Sequence, residues 1–199
     1  MTVNTHIMKQ NKRCIQLDVT RKLKIKLDKE NHIVYVNNYF SEVTGFKISD
    51  IIMKDFAFIV DPSMPRIHLD TFEELAKTKD SFYFIFKGVN KDGSCYWSFA
   101  KISRRYNEAG ENIGWLIEGK MLPEPAVAKI TKLFEVLKEI ENNAGVEAAK
   151  KYFEGFLEEK NMDFNEFVLA IAGVTEKKAL QYFEIDEDAV VKKKKKGWF

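Results

Sequence analysis

Cysteine is scarce. Only Cys14 and Cys95 occur in 199 residues, and neither lies in a CxxC pair or at metal-ligand spacing from a histidine. That excludes a disulfide-dense secreted scaffold and a cysteine-built zinc site, and the two residues read as free thiols of a reducing cytosol. No long hydrophobic run is present either. The longest stretch free of charge and of strong polarity, Phe167 to Val174, has eight residues, against the ~20 that a membrane-spanning helix needs. The opening residues MTVNTHIMKQNKRC lack the apolar core of an export signal, so a cytoplasmic protein is expected. The nucleophile-elbow, HExxH, P-loop and GxGxxG patterns are all missing, and nothing points to an enzyme. Met162 to Glu166 resembles part of an EF-hand loop but lacks the central glycine and the ring of acidic ligands, which excludes calcium. The net charge is +2, of which +5 belongs to Lys192 to Lys196, leaving −3 on the rest of the chain. A binder of nucleic acid carries its cations on a folded face, so that class is excluded as well.

What is abundant is apolar and aromatic material: 45% of residues are hydrophobic, with 16 Phe, enough to build a real core. Leu23, Ile25 and Leu27 alternate with lysines, the period of two of a half-buried strand. Lys29 to Asn31 form a polar turn before the β-branched and aromatic run Ile33 to Val36, which predicts a hairpin. From Asn37 to Met64 the pattern breaks into short helical pieces, with Ser49 placed to cap Asp50 to Lys54. Pro65 then opens one substantial helix carrying Ile67, Leu69, Phe72 and Leu75 up to Lys79. Ser81 to Val89 and Cys95 to Ile102 read as strands around the turn Asn90 to Gly93, and Ile113 to Gly119 completes a meander.

Beyond Pro123 and Pro125 the strand signal stops. Val127, Ile130, Leu133, Phe134, Leu137 and Ile140 fall on one helical stripe, Gly145 interrupts, and Tyr152, Phe153, Phe156 and Leu157 form another. The stripe predicts packing between the two helices ahead of an exposed coiled coil. Asp163 and Glu166 have the spacing of a capping box, Gly173 ends that helix, and Thr175 caps a last one to about Phe183. The fold class is therefore α+β. Its parts are an N-terminal segment 1–20, a sheet domain 21–121, an all-α extension 122–187 and a basic, aromatic tail 188–199. That tail, KKKKKGWF, suits an anionic membrane surface or an acidic partner, and reads equally as a solubilising end.

The element order is accompanied by three motifs: Tyr35-Val36-Asn37 with Phe40 and Thr44-Gly45, then Pro62-Ser63-Met64-Pro65, then Lys91-Asp92-Gly93-Ser94-Cys95-Tyr96-Trp97. Together they resemble the PAS family, and within it the Aer-type domains of bacterial aerotaxis, over about Arg21 to Met121. The resemblance implies a five-stranded antiparallel sheet with short helices and one longer helix, enclosing a hollow that in Aer-type members holds FAD. It places Asn37, Phe58, Met64, Phe82, Tyr96 and Trp97 around that hollow. Four departures weaken the flavin site: Val60-Asp61 stands where the family pattern has Arg-His, Ser63 where it has Asp, Phe82 where it has Trp, and Gly88 where it has Asn. A pyrophosphate needs donors and positive charge, and Asp61 repels it.

Asn37 has two readings, a flavin contact or a cap for the following helix. His68 lies on the helix from which some PAS domains ligate a heme; its other reading is a surface or capping residue. The cysteine motif of light-sensing PAS relatives is missing. By alternation, one of Tyr96 and Trp97 faces the hollow and the other packs on a helix. The expectation is a cytoplasmic PAS sensor or adaptor for redox or energy-state signalling, of chemotaxis type, with FAD in the hollow. It would signal by contact with a membrane chemoreceptor, another signalling protein or a second copy of itself. A cofactor-free interaction module is the alternative, and a heme gas sensor the third reading.

Overall fold

The computed structural model describes residues 14–184, so the lysine tail and the membrane contact expected of it lie outside the described residues. The alternating lysines and aliphatics form β2 (Leu23–Leu27), with Leu23, Ile25 and Leu27 fully buried. It pairs antiparallel with β3 (Ile33–Val36) on one side and β6 (Asn112–Met121) on the other. β6 pairs antiparallel with β5 (Cys95–Tyr106), and β5 with β4 (Ser81–Val89), which has β5 as its one ladder partner among the described residues. The five antiparallel strands of the sheet domain are all present.

Two features depart from expectation. A sixth strand, β1 (Cys14–Ile15), lies in the segment read as preceding the domain and pairs parallel with the start of β5. Cys14 and Cys95, expected as free thiols, are joined in a disulfide across 81 residues. The reason is register: β1 sets Cys14 directly opposite Cys95, a proximity that no sequence spacing announces. The reading of a reducing compartment from free cysteines is withdrawn with it.

Between β3 and β4 the chain runs through α1 (Asn38–Thr44), α2 (Ile48–Ile51), a 3-10 turn (Phe56–Ile59) and α3 (Arg66–Thr78). Gly45 ends α1 at φ 70, a left-handed position that glycine adopts without steric cost. The expected cap at Ser49 is not made. α2 starts after Lys47 with no side-chain capping bond, and the Ser49 hydroxyl points to Asp50 instead. After Met121 and up to the last described residue the elements are all helices: α4 (Glu124–Ala144), α5 (Val146–Glu159), α6 (Phe164–Ala172) and α7 (Glu176–Glu184). The reciprocal capping box at Asp163 and Glu166 is formed. No helix among the described residues is long and apolar enough to cross a membrane.

The extension is packed onto the sheet. Ile130, Phe134 and Leu137 of α4 are buried, Phe134 meets Trp97 of β5 at 5.8 Å, and Phe183 of α7 stacks on Tyr83 and meets Phe99 at a tilt. Burying rings of this size contributes about 2 to 3 kcal/mol each. Polar contacts fix the angle: Asn165 of α6 accepts from the Tyr83 N–H, a donor on the edge strand β4, and Lys22 donates to Phe183 O while pairing with Glu118. The Lys22 cation thus meets the negative end of the α7 dipole.

Candidate functional site behind the sheet

A strand turns alternate side chains to opposite faces. The registers of β4 and β5 therefore put Phe82, Phe84 and Phe86 on the same face as Ile102, Ala100, Ser98 and Tyr96. This face looks onto α3 and the 3-10 turn. The opposite face presents Tyr83, Trp97 and Phe99 to the helical extension.

The space between sheet and α3 is crossed by rings in mutual contact. Tyr96 meets Phe86 at 6.3 Å, Phe86 meets Phe56 at 5.9 Å, and Phe56 meets Phe72 at 5.7 Å. Phe72 then reaches Phe84 at 5.3 Å and Phe82 at 5.7 Å, and Phe82 reaches Trp115 at 6.3 Å. These are edge and offset geometries that aromatic pairs favour. Phe82, Phe84 and Phe86 are each 1% exposed and Tyr96 not at all, so the chain of rings is interior from one end of the hollow to the other.

Of the polar groups near it, the Asn37 amide is engaged and two hydroxyls are not. Asn37 caps α1 by accepting from Phe40 N, and its amide also bridges Lys24 N and Lys22 O, so both ends of the side chain serve the backbone. The Tyr96 hydroxyl lies over Gly88, where a Cβ would come within 2.1 Å of the ring, and the Ser98 hydroxyl lies against Gly119 in the same way. Neither hydroxyl has a protein hydrogen-bond partner among the described residues, and burial pushes the Tyr96 phenol above its ordinary range. Asp61 is 3% exposed, accepts from Ser63 N and has the Lys87 ammonium 3.6 Å away. A carboxylate offers a pyrophosphate no donor.

The residues named from sequence do not all converge. Phe82 and Tyr96 face the hollow. Met64 is buried, with its sulfur accepting from Lys87 N. Asn37 is at the edge as a cap. Trp97 faces the extension, and Phe58, 46% exposed, lies on the surface against Phe46. His68 is fully buried between α3, β4, α4 and α6, its Nε2 bonded to Ile85 O at 2.7 Å and its ring against Phe84, Phe134 and Phe164. Burial lowers its pKa from 6.5 to about 4, which holds the ring neutral with Nε2 as donor. Sequence reasoning missed Phe56, Phe84, Phe86 and Trp115 as occupants of the hollow. The three phenylalanines alternating along Ser81 to Val89 were the available signal.

One further cluster, Asp28, Glu30 and His32, brings three potential ligand atoms within 4.8 Å of one another. Asp28 there accepts from the N–H groups of Glu30 and His32 and contacts the His32 ring, which accounts for the grouping as turn chemistry.

The FAD of the resembling family can be tested against these atoms. An isoalloxazine ring needs a flat apolar slot and donors for its polar edge. The slot is crossed by Phe56, Phe72 and Phe86, and the Asn37 amide is spent, so the residues present do not fit the group.

Residues 24–120 match the family model described as "PAS domain". Among curated proteins, the bacterioopsin transcriptional activator of Halobacterium salinarum is 24% identical over 83 residues, 42% of this chain and 12% of that protein. The chain thus spans about an eighth of that relative's length. A solved light-oxygen-voltage domain, from a study of a flavin analogue, has 19% identity and a TM-score of 0.50, covering 58% of this chain and 87% of that one. The PAS domain of the fruit-fly ELK potassium channel has 22% identity and a TM-score of 0.46, covering 53% and 90%. For the light-oxygen-voltage domain, at that identity, the likeness is one of fold.

Proposed function

Residues 24–120 have the PAS-domain fold, the fold of non-catalytic sensor and interaction modules, and from that premise we propose that this chain is a PAS signalling module acting through protein contact, with its hollow filled by its own side chains. The observation that carries the reading is the unbroken chain of ring contacts from Tyr96 to Trp115. The light-oxygen-voltage relative belongs to a study of a flavin, but here the space for such a ring is crossed by Phe56, Phe72 and Phe86. In this proposal the output passes through the helical extension. α4 rests on Trp97 through Phe134 and reaches α3 through Glu141, so a change on either face of the sheet tilts or loosens α4. The partner is a signalling protein that reads this helix; a membrane chemoreceptor belongs to that class.

The absorbance of the natively purified protein tests the proposal. Aromatic absorbance alone is expected. Paired near-ultraviolet and blue bands would replace it with the FAD-dependent, aerotaxis-like reading, and a Soret band with heme sensing at His68.

A further inference from the structure

Among the described residues, the disulfide joins the N-terminal arm to the sheet beside a short ladder and a few side-chain contacts. β1 makes a ladder of two residues. Beyond it the arm is held by Gln16 donating to the Met121 sulfur, by buried Leu17, and by Asp18 N donating to the Tyr39 hydroxyl. The two sulfurs differ in access. Cys95 is 0% exposed, while Cys14 is half-buried and lines an open cleft of about 820 Å³. The same cleft is bounded by Asp92, Trp97 and Met121, and by Leu122, Glu124 and Val127 at the root of α4. The bridge therefore lies at the joint between arm, sheet and the helix by which the extension leaves the sheet.

From this placement we propose that Cys14–Cys95 is a thiol-redox site, exchanging with low-molecular-weight thiols and their disulfides, whose opening frees the arm and loosens the first turns of α4. A thiolate enters the cleft and attacks the Cys14 sulfur, forming a mixed disulfide there. The S–S bond breaks and its electron pair leaves on the Cys95 sulfur, which takes a proton. A second thiol attacks the external sulfur of the mixed disulfide, giving the small-molecule disulfide and the Cys14 thiol. Two thiols are oxidised to one disulfide and the protein bridge gains the two electrons; the reverse sequence closes it. Redox input thus enters at a covalent bridge on the outer edge of the sheet. The inference rests on the contact-signalling reading only in its last step, from α4 to a partner.

The test uses the full chain equilibrated in glutathione and glutathione disulfide at graded ratios, with thiol alkylation and hydrogen exchange as readouts. Expected is no alkylation at the oxidised end and alkylation of both cysteines at the reduced end. Exchange over 14–17 and 122–130 should rise roughly tenfold or more with reduction, while exchange in β2 stays unchanged. Cys14→Ser should show the exchange pattern of the reduced protein at every ratio, and Cys14→Ala serves as a second variant should the serine destabilise the arm. Alkylation at every ratio would show that no bridge forms. A bridge that opens with exchange over 122–130 unmoved would be a staple without the proposed consequence. Either result overturns the proposal, and neither bears on the absorbance that decides the filled hollow.

Discussion

Tyr96 and Gly88 are a matched pair. The ring fits because the facing residue has no Cβ, and its hydroxyl, buried and without a protein partner among the described residues, is desolvated without compensation. An unsatisfied buried hydroxyl costs about 1 to 3 kcal/mol, so removing it alone relieves a penalty. Tyr96→Phe is expected to leave stability unchanged or raise it by about 1 kcal/mol, measured by urea unfolding. Gly88→Ala, which drives a methyl into that ring, is expected to lower it by about 1 to 3 kcal/mol. A marked loss in Tyr96→Phe would mean that the hydroxyl has a partner and that the hollow is not purely apolar. The two neighbours Tyr96 and Trp97 were both singled out by the sequence, and alternation required that they part. Which faced inward was decided only by the pairing of Tyr96 with Gly88.

At the scale of elements, α3 begins without a cap of its own: Pro65 precedes it and makes no side-chain capping bond. The Ile67 N–H donates instead to the Glu141 carboxylate of α4, at 2.8 Å. A carboxylate there satisfies an orphan donor and opposes the positive end of the helix dipole. One bond thus caps a helix and ties the extension to the sheet domain. Glu141→Ala is expected to cost about 1 to 2 kcal/mol and to raise hydrogen exchange in the first turn of α3. Equal exchange in the two proteins would show that the cap is not used. This bond links residues 74 apart in sequence, so no local pattern pointed to it. The capping box at Asp163 and Glu166, four neighbouring positions on one turn, was legible in full.

For the molecule as a whole, two devices bind distant parts. The disulfide closes a loop of 81 residues, which constrains the unfolded chain by about 4 kcal/mol in the chain-entropy account. His68 is the second, packed where α3, the edge strand β4, α4 and α6 meet. Its ring stays neutral in the folded protein down to about pH 4, whereas in the unfolded chain it takes its proton near 6.5. Below 6.5 the unfolded state therefore binds the extra proton, and stability falls as pH falls, levelling off beneath about 4. The whole effect amounts to about 3 kcal/mol. His68→Gln keeps a donor for Ile85 O and does not titrate. Unfolding free energies of the two proteins are expected to diverge by that amount between pH 7 and pH 4, in favour of the variant at low pH. Parallel curves would place His68 in contact with solvent.

By itself the amino-acid sequence determined the five antiparallel strands and the longer helices, because periods of two and of 3.6 residues are local properties of the chain. LKIKL yielded β2 to the residue, and the alternating phenylalanines of Ser81 to Val89 already contained a face rich in rings. It did not determine β1, whose two residues carry no period, nor the bond between Cys14 and Cys95. It also left open whether the hollow held a ligand or its own rings, since Phe56, Phe72 and Phe86 meet there from a 3-10 turn, a helix and a strand. Those outcomes depend on strand register and on how helices seat against a sheet. Both are set by the packing of residues far apart in the chain, and tertiary structure alone decides them.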